Sequence, residues 1–193
     1  AIVTLEILLI LVAAISTLLA LKIYLPRRTR MAKTGTLLLL AGAQWNLFRA
    51  LKVGSVSLPT KLFLDKLQFL GIVVLPMAWL IFALLYTGRD NWVTHRTVAI
   101  LSIMPLITLL MVFTNEAHGL IWSPNRLILN GSIAVLDYTF GSGMWAFVAY
   151  SYILFFLGIT LFIQMLIRSR LVFRWQISGL LFTALIVGLT SFI

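Results

Sequence analysis

Apolar runs about as long as a bilayer is thick dominate this chain, and the connections between them alternate between rich and poor in lysine and arginine. A helix rises about 1.5 Å per residue, so about 20 residues cross the hydrocarbon core. Runs near 1–25, 34–53, 62–87, 98–114, 145–167 and 177–193 meet or approach that length. They predict an all-α membrane protein, a bundle of about six transmembrane helices. The second run carries Gln44 and Asn46 near its middle, and the last is short. The first is longer than the apolar core of a cleaved signal peptide, and is read as a spanning helix of a trimmed or processed chain.

Composition supports lipid as the solvent. Of 193 residues, 62% are hydrophobic and 10% charged, against roughly half and a quarter in a soluble domain. A core of this size cannot hide the excess, because a small domain leaves much of its surface exposed. The net charge of +10 does not imply nucleic acid, since the basic residues form no single patch or stripe. With no cysteine, disulfide frameworks and thiolate metal sites are excluded.

The basic residues orient the bundle. The connections after the first, third and fifth runs hold ten: Lys22, Arg27, Arg28, Arg30, Lys33, Arg89, Arg96, Arg168, Arg170 and Arg174. The other two hold five: Arg49, Lys52, Lys61, Lys66 and Arg126. The positive-inside bias places the ten in the cytoplasm and the amino terminus outside. Six spans return the chain to the outside at Ile193, so a cytoplasmic output domain requires a seventh span. Pro76 and Pro105 fall mid-run, where each removes a backbone hydrogen bond and kinks its helix. Trp92, Trp122, Trp145 and Trp175 fall near run ends, as interfacial anchors do, and Glu6 is placed at the outer headgroup level.

The connection 115–144 is not uniformly polar. Two short β-prone runs, 126–129 and 132–135, flank Asn130-Gly131, a pair suited to the positive φ of a tight hairpin turn. A short extracytoplasmic β-hairpin between helices four and five is expected, with Gly141 and Gly143 letting the chain turn back. It serves as a lid on a ligand pocket or as a cap over helix ends.

Polar groups at membrane depth are costly and therefore candidates for function. Trp45 and Arg49 share a helix face at i, i+4. Asp65 and Gln68 lie at i, i+3 about a turn below the outer surface, and Asn115, Glu116, His118 and Trp122 gather at the outer end of the fourth run. Arg49 and Asp65 form the expected pair, each offsetting the other's desolvation, either as an interhelical tie or as a ligand site. Tyr150, with Trp145 and Tyr152, gives an aromatic wall or simple packing. Glu116 and His118 face different directions, and further ligands for a metal are not evident. No nucleophile elbow, zinc-binding helix motif or phosphate loop is present, so no catalytic residue and no cofactor is assigned.

Three stretches, read in order, carry a resemblance: SLPTKLFLDKLQFLGIVVLPMAWLIFALLYTG at 57–88, PLITLLMVFTNEAHGLIW at 105–122, and FGSGMWAFVAYSYILFFLGI at 140–159, followed by the basic junction RSRLVFRWQ at 168–176. Together they resemble the amino-terminal seven-helix sensor region of bacterial membrane histidine kinases. The resemblance implies a single transmembrane sensor domain over 1–193, six helices of a seven-helix pattern, in a two-component system. It implies a kinase-type output domain in cis outside this chain, so the chain itself is not an enzyme. His95 and His118 are then membrane-region residues and not phospho-acceptors.

These features lead to a multi-pass cell-membrane receptor that binds a small extracytoplasmic ligand. The expected ligand residues are Trp45, Arg49, Asp65, Gln68, Asn115, Glu116 and His118, with Trp122 and Tyr150 as apolar walls. Its partners would be the lipid bilayer, the unknown small molecule and the output domain, with a homodimer compatible and nucleic acid not involved. A transporter or permease component and a passive membrane anchor are the alternatives, although no inverted repeat of the transporter kind is visible.

Overall fold

The computed structural model describes residues 2–26, 29–55, 57–130 and 133–168, with the backbone alone described at 2, 3, 124–130 and 133–138. In chain order the elements are α1 (Ile2–Tyr24), α2 (Arg30–Gly54), α3 (Leu58–Ile72), α4 (Val74–Tyr86), the 3-10 turn η1 (Asp90–Trp92), α5 (His95–Phe113), α6 (Asn115–His118), β1 (Trp122–Asn130), β2 (Ile133–Phe140) and α7 (Ser142–Arg168). Four helical stretches among the described residues are long and apolar enough to cross a membrane: Thr4–Tyr24, Leu58–Tyr86, His95–Phe113 and Ser142–Arg168. The architecture is that of an all-α membrane protein. The second expected run forms α2, whose Lys33, Gln44, Asn46, Arg49 and Lys52 keep it out of that apolar set. The sixth, 177–193, lies outside the described residues, as do Arg170, Arg174 and Trp175.

Local chemistry sets the helix starts. Thr29, Ser57 and Thr94 each cap a helix, their hydroxyls accepting the backbone N–H of Ala32, Thr60 and Thr97 at 3.2 Å. Such side-chain oxygens satisfy donors that no intrahelical carbonyl can reach. Pro59 sits in the first turn of α3, where its missing N–H is harmless.

The two mid-run prolines act differently. The expected third span is broken into α3 and α4 at Val73, three residues before Pro76. Pro76 has no N–H for the carbonyl of Ile72, and its ring crowds that carbonyl, so the break falls there. Pro105 instead lies inside an unbroken α5. The carbonyl it frees, Leu101 O, accepts the Tyr150 hydroxyl of α7 at 2.7 Å. A neighbouring helix thus satisfies the group that proline orphaned.

α2 packs between α1 and the α3–α4 rod, and α7 packs on the other side of that rod beside α5. The α2–α3 seam closes at Gly71, where any Cβ would collide with Gln44 Oε1 and the Ala41 carbonyl. Gln44 Nε2 donates to the Leu67 carbonyl at 2.5 Å across the seam. The α4–α7 seam closes at Gly158, over which the Trp79 indole lies, and Trp79 Nε1 donates to Phe155 O at 3.2 Å. Small residues of this kind let membrane helices approach closely. Trp79, Tyr86 and Phe162 interlock there, with centroids of Phe162 at 5.4 Å from both Trp79 and Tyr86.

β1 and β2 pair antiparallel from Trp122–Phe140 to Asn130–Ile133, with an irregularity between Pro124 and Arg126. Of the expected turn pair Asn130-Gly131, Gly131 lies outside the described residues, as does Ser132. At the base of the strands, Gly141 N–H reaches Ile121 O at 3.0 Å and Gly143 N–H reaches Leu120 O at 2.9 Å. A Cβ on Gly141 would meet the Leu120 carbonyl, so the chain can re-enter the bundle at this closeness only with glycine there. Trp92 and Trp145 are exposed at opposite ends of the rods, but Trp122 is buried, correcting its expected place as an interfacial anchor. It packs against Phe69, ring centroids 5.3 Å apart and tilted by 40°, within a core that includes Val73, Val112, Ile121 and Phe147.

Candidate functional site

Three helices present faces with one period to a common space. Trp45, Arg49 and Lys52 recur at i, i+4, i+7 on α2. Asp65, Gln68, Phe69 and Ile72 recur at i, i+3, i+4, i+7 on α3, as do Met144, Phe147, Val148 and Ser151 on α7. Residues so spaced lie on one side of a helix. Between them is a cleft of about 340 Å³, floored by Leu75 and Pro76 and roofed by Trp122 and Phe140 at the strand bases. Its size falls in the range of small-molecule sites, and its walls are apolar with few polar groups, as in such sites.

The polar groups stand at the α2–α3 side. Lys52 Nζ donates to Asp65 Oδ1 at 2.6 Å. This corrects the expected Arg49–Asp65 pair. Side chains of a helix lean toward its amino end, which carries the Lys52 ammonium from the end of α2 inward to Asp65. Lys61, buried at the start of α3, donates to the Lys52 carbonyl at 3.0 Å and closes the corner. Arg49 lines the same cleft and makes no ion pair among the described residues. Trp45 Nε1 and Gln68 Oε1 are shielded from solvent and have no hydrogen-bond partner among the described residues.

A second recess, about 400 Å³, lies beside the first and shares Trp122 with it; Lys66, Asn115, Glu116 and His118 line it. Its polar groups are already engaged. Buried Asn115 accepts the N–H of Ile121 at 2.9 Å and of Trp122 at 3.3 Å, and donates to Trp122 O at 2.6 Å. His118 Nδ1 accepts the Leu120 N–H at 3.0 Å, and its Nε2 lies 3.0 Å from Thr114 Oγ1. An Nδ1 that accepts leaves the proton on Nε2, so the ring is assigned as the neutral tautomer. Lys66 pairs with Glu116 at 2.5 Å, and that hydrogen bond holds the Glu116 carboxyl below its usual pKa. No group of three potential metal ligands converges among the described residues.

Of the nine expected ligand residues, the structure therefore brings Trp45, Arg49, Asp65, Gln68 and Trp122 to one cleft. Asn115, Glu116 and His118 surround the neighbouring recess, where Asn115 and His118 hold the backbone at 120–122 and Glu116 pairs with Lys66. Tyr150 lines neither, because its hydroxyl is committed to the carbonyl freed by Pro105. Sequence reasoning missed Lys52, counted only as a connection charge, and the whole α7 face. The i, i+3, i+4, i+7 spacing of Met144, Phe147, Val148 and Ser151 was the available signal.

The family model for the N-terminal 7TM region of histidine kinase matches residues 8–193. The chain belongs to that family. No curated protein and no solved structure matches it. As a histidine kinase 7TM region it is a non-catalytic, multi-pass membrane module, and no catalytic domain is indicated within it. Membership implies a cytoplasmic output domain in cis. The cleft thus belongs to a chain of the N-terminal 7TM sensor region of histidine kinases.

Proposed function

We propose that this 7TM region is a receptor for a small extracytoplasmic ligand, which it binds in the cleft between α2, α3 and α7. The observation that carries the reading is the convergence of Trp45, Arg49, Asp65 and Gln68 on an apolar-walled space of ligand size. Polar side chains at membrane depth are retained where they do something. The chain is read as one sensor domain over 1–193, with 115–144 as its outer segment and the strand pair as a lid.

Orientation follows from charge. Lys22, Arg30, Lys33, Arg89, Arg96 and Arg168 cluster where α1 ends, α2 begins, α4 passes to α5, and α7 ends. Positive residues favour the cytoplasmic side, so the strands, the cleft and the amino terminus face outward. A ligand acts by preferring one arrangement of the helices over another. α2 and α7 bound the cleft without packing tightly on each other, so a ligand joining them alters the α4–α7 pair that leads to the cytoplasmic end.

The test fills the cleft in the full-length kinase. Val148→Trp and Ser151→Phe each place bulk in the space, whereas Ile153→Trp adds it on an exposed face of α7. The phosphorylated fraction of the kinase is followed in its native host across growth stages, with membrane level as the control. The two cleft variants should lose the change in phosphorylation at normal membrane level, and Ile153→Trp should keep it. An unaltered response in both cleft variants overturns the receptor reading, and leaves a passive anchor.

A further inference from the structure

Three unsatisfied groups face the cleft, and each asks for a different complement. Gln68 is 9% exposed, yet its Oε1 has no hydrogen-bond partner among the described residues. It requires a donor. Trp45 Nε1, also shielded and unpartnered, is a donor only and requires an acceptor. Arg49 is a cation with no ion pair among the described residues, since Asp65 is engaged by Lys52. It requires an anion. Buried polar groups in native proteins are nearly always paired, which applies to the shielded Gln68 and Trp45 atoms, whereas Arg49 is exposed and contributes its charge. Lys52 and Asp65, paired with each other, and Ser151 also line the cleft, and the remaining wall, including Phe69, Ile72, Leu75 and Phe147, is apolar.

We propose that the cleft binds an amphipathic hydroxy acid: a single apolar chain bearing a carboxylate and, close to it, a hydroxyl. The carboxylate pairs with the Arg49 guanidinium, whose planar fork suits two parallel bonds to one anion. A head oxygen accepts the Trp45 indole N–H, and the hydroxyl donates to Gln68 Oε1. The chain lies along Phe69, Ile72 and Phe147. A cationic amphiphile is rejected by Arg49, and a plain hydrocarbon leaves all three groups unmet. The proposal deepens the receptor reading and rests on it for the link from binding to signalling. An anionic phospholipid with a hydroxylated headgroup offers related chemistry from the bilayer itself, but brings two chains to a cleft of about 340 Å³.

The experiment uses the full-length kinase in phosphatidylcholine nanodiscs and radiolabelled 3-hydroxydodecanoate as probe. Saturable binding of one molecule per chain is expected. Dodecanoate, which lacks the hydroxyl, should bind roughly tenfold more weakly, the size of one lost hydrogen bond to a buried group. The methyl ester of the hydroxy acid, which lacks the charge, should be weaker by tenfold or more. Arg49→Met should remove the preference for acid over ester, and Gln68→Leu the preference for hydroxy acid over dodecanoate. Gln68→Glu, which keeps the polarity of the site, should repel the acid. Absence of saturable binding, equal binding of acid and ester, or unchanged binding in Arg49→Met overturns the proposal. Displacement of the probe by phosphatidylglycerol added to the nanodisc also overturns it, and assigns the cleft to the lipid headgroup. Autophosphorylation measured in the same discs separates the two readings. Binding that leaves phosphorylation unchanged overturns the receptor reading and keeps this one. Cleft-filled variants that lose signalling, in a kinase that ignores the hydroxy acid, do the reverse.

Discussion

The two halves of the α3–α4 rod are built on opposite plans. Toward η1, α4 meets α7 in an aromatic seam: Trp79, Tyr86 and Phe162 interlock over Gly158, and Phe162 and Ala83 are fully buried. Toward the strands, α3 faces α2 and α7 across an open cleft with an ion pair, a lone guanidinium and two unmet polar atoms. Lipid provides no hydrophobic force to drive helices together, so association rests on close packing and interhelical hydrogen bonds. The seam rests mainly on the first, with one hydrogen bond from Trp79 to Phe155, and the α2–α3 side of the cleft mainly on the second, with close approach at Gly71. Under the proposed receptor reading, the open end changes with what it binds and the closed end passes the change on. The break at Val73, set by Pro76, separates them.

The sharpest way to break this comparison is to disrupt the seam. Gly158→Leu puts a branched side chain where even a Cβ would strike the Trp79 indole. Overpacking of a well-fitted contact costs typically 1–3 kcal/mol and occasionally more, and here both helices are held by the same residue. We expect destabilisation on the order of 3 kcal/mol or more and a low yield of folded protein from detergent. Thermal unfolding followed by size-exclusion chromatography measures it. A variant as stable as the parent would show that the seam is loose, and the two halves alike.

Next in size is the strand base. Asn115→Ala strands the N–H of Ile121 and removes the amide's bonds to the N–H and carbonyl of Trp122, all in a buried setting. The expected loss is about 2–3 kcal/mol, because unsatisfied buried backbone is expensive. Hydrogen exchange should rise at 120–123 and at 140–143, with the α4–α7 seam unchanged. Exchange that rises equally in the seam would mean that the halves are not independent.

Much of this was legible in the sequence, and what was not has physical reasons. Apolar runs and alternating basic connections identified a helical membrane protein, because lipid permits few alternatives. Asp65, Gln68, Trp45 and Arg49 stood out because polar groups are rare at that depth, and the structure gathers all four. Pairing was harder. Arg49 was the expected partner of Asp65 from connectivity, but side-chain direction and the length of a lysine decided for Lys52. Tyr150 was assigned to a pocket wall, since nothing local ties it to Pro105, 45 residues earlier in the chain and on another helix. Asn115 was singled out for its polarity. That its amide would be used by backbone six and seven residues on depends on how the chain folds back at Gly119, where φ is +61°.

Smaller still is the effect of the cleft's ion pair. Asp65→Asn removes the Asp65 carboxylate from the Lys52 ammonium in a half-buried corner shared with Lys61. The loss is about 2 kcal/mol, in the range of hydrogen bonds to charged groups. Lys52→Met with Asp65→Leu should recover most of it, because apolar replacements of a buried pair are often neutral. Recovery of stability without recovery of kinase response would sharpen the comparison, separating what the pair does for folding from what it does for the cleft. No recovery would make the pair a structural post like those of the seam.

The weakest tie is Lys66–Glu116 at the rim of the second recess. Glu116 is mostly exposed, with 68% of its side chain accessible, so solvent screens the pair and its worth is below about 1 kcal/mol. Its pH dependence has a definite sign. The Lys66 hydrogen bond holds the folded-state pKa of Glu116 below the ordinary value of 4.5. A carboxyl shifted downward contributes stability that is complete above its unfolded-state pKa and disappears as pH falls through the folded-state one. Glu116→Gln should therefore lower the unfolding temperature slightly near neutrality, and the difference from the parent should vanish in acid below both values. Added salt should shrink the neutral-pH difference, as for any exposed pair. If the substitution instead lowered stability as much as Asp65→Asn, and equally in acid, the carboxylate would be acting through packing and not charge. The rim would then be part of the cleft's framework, and the division between an open cleft and a closed seam would have to be drawn further out.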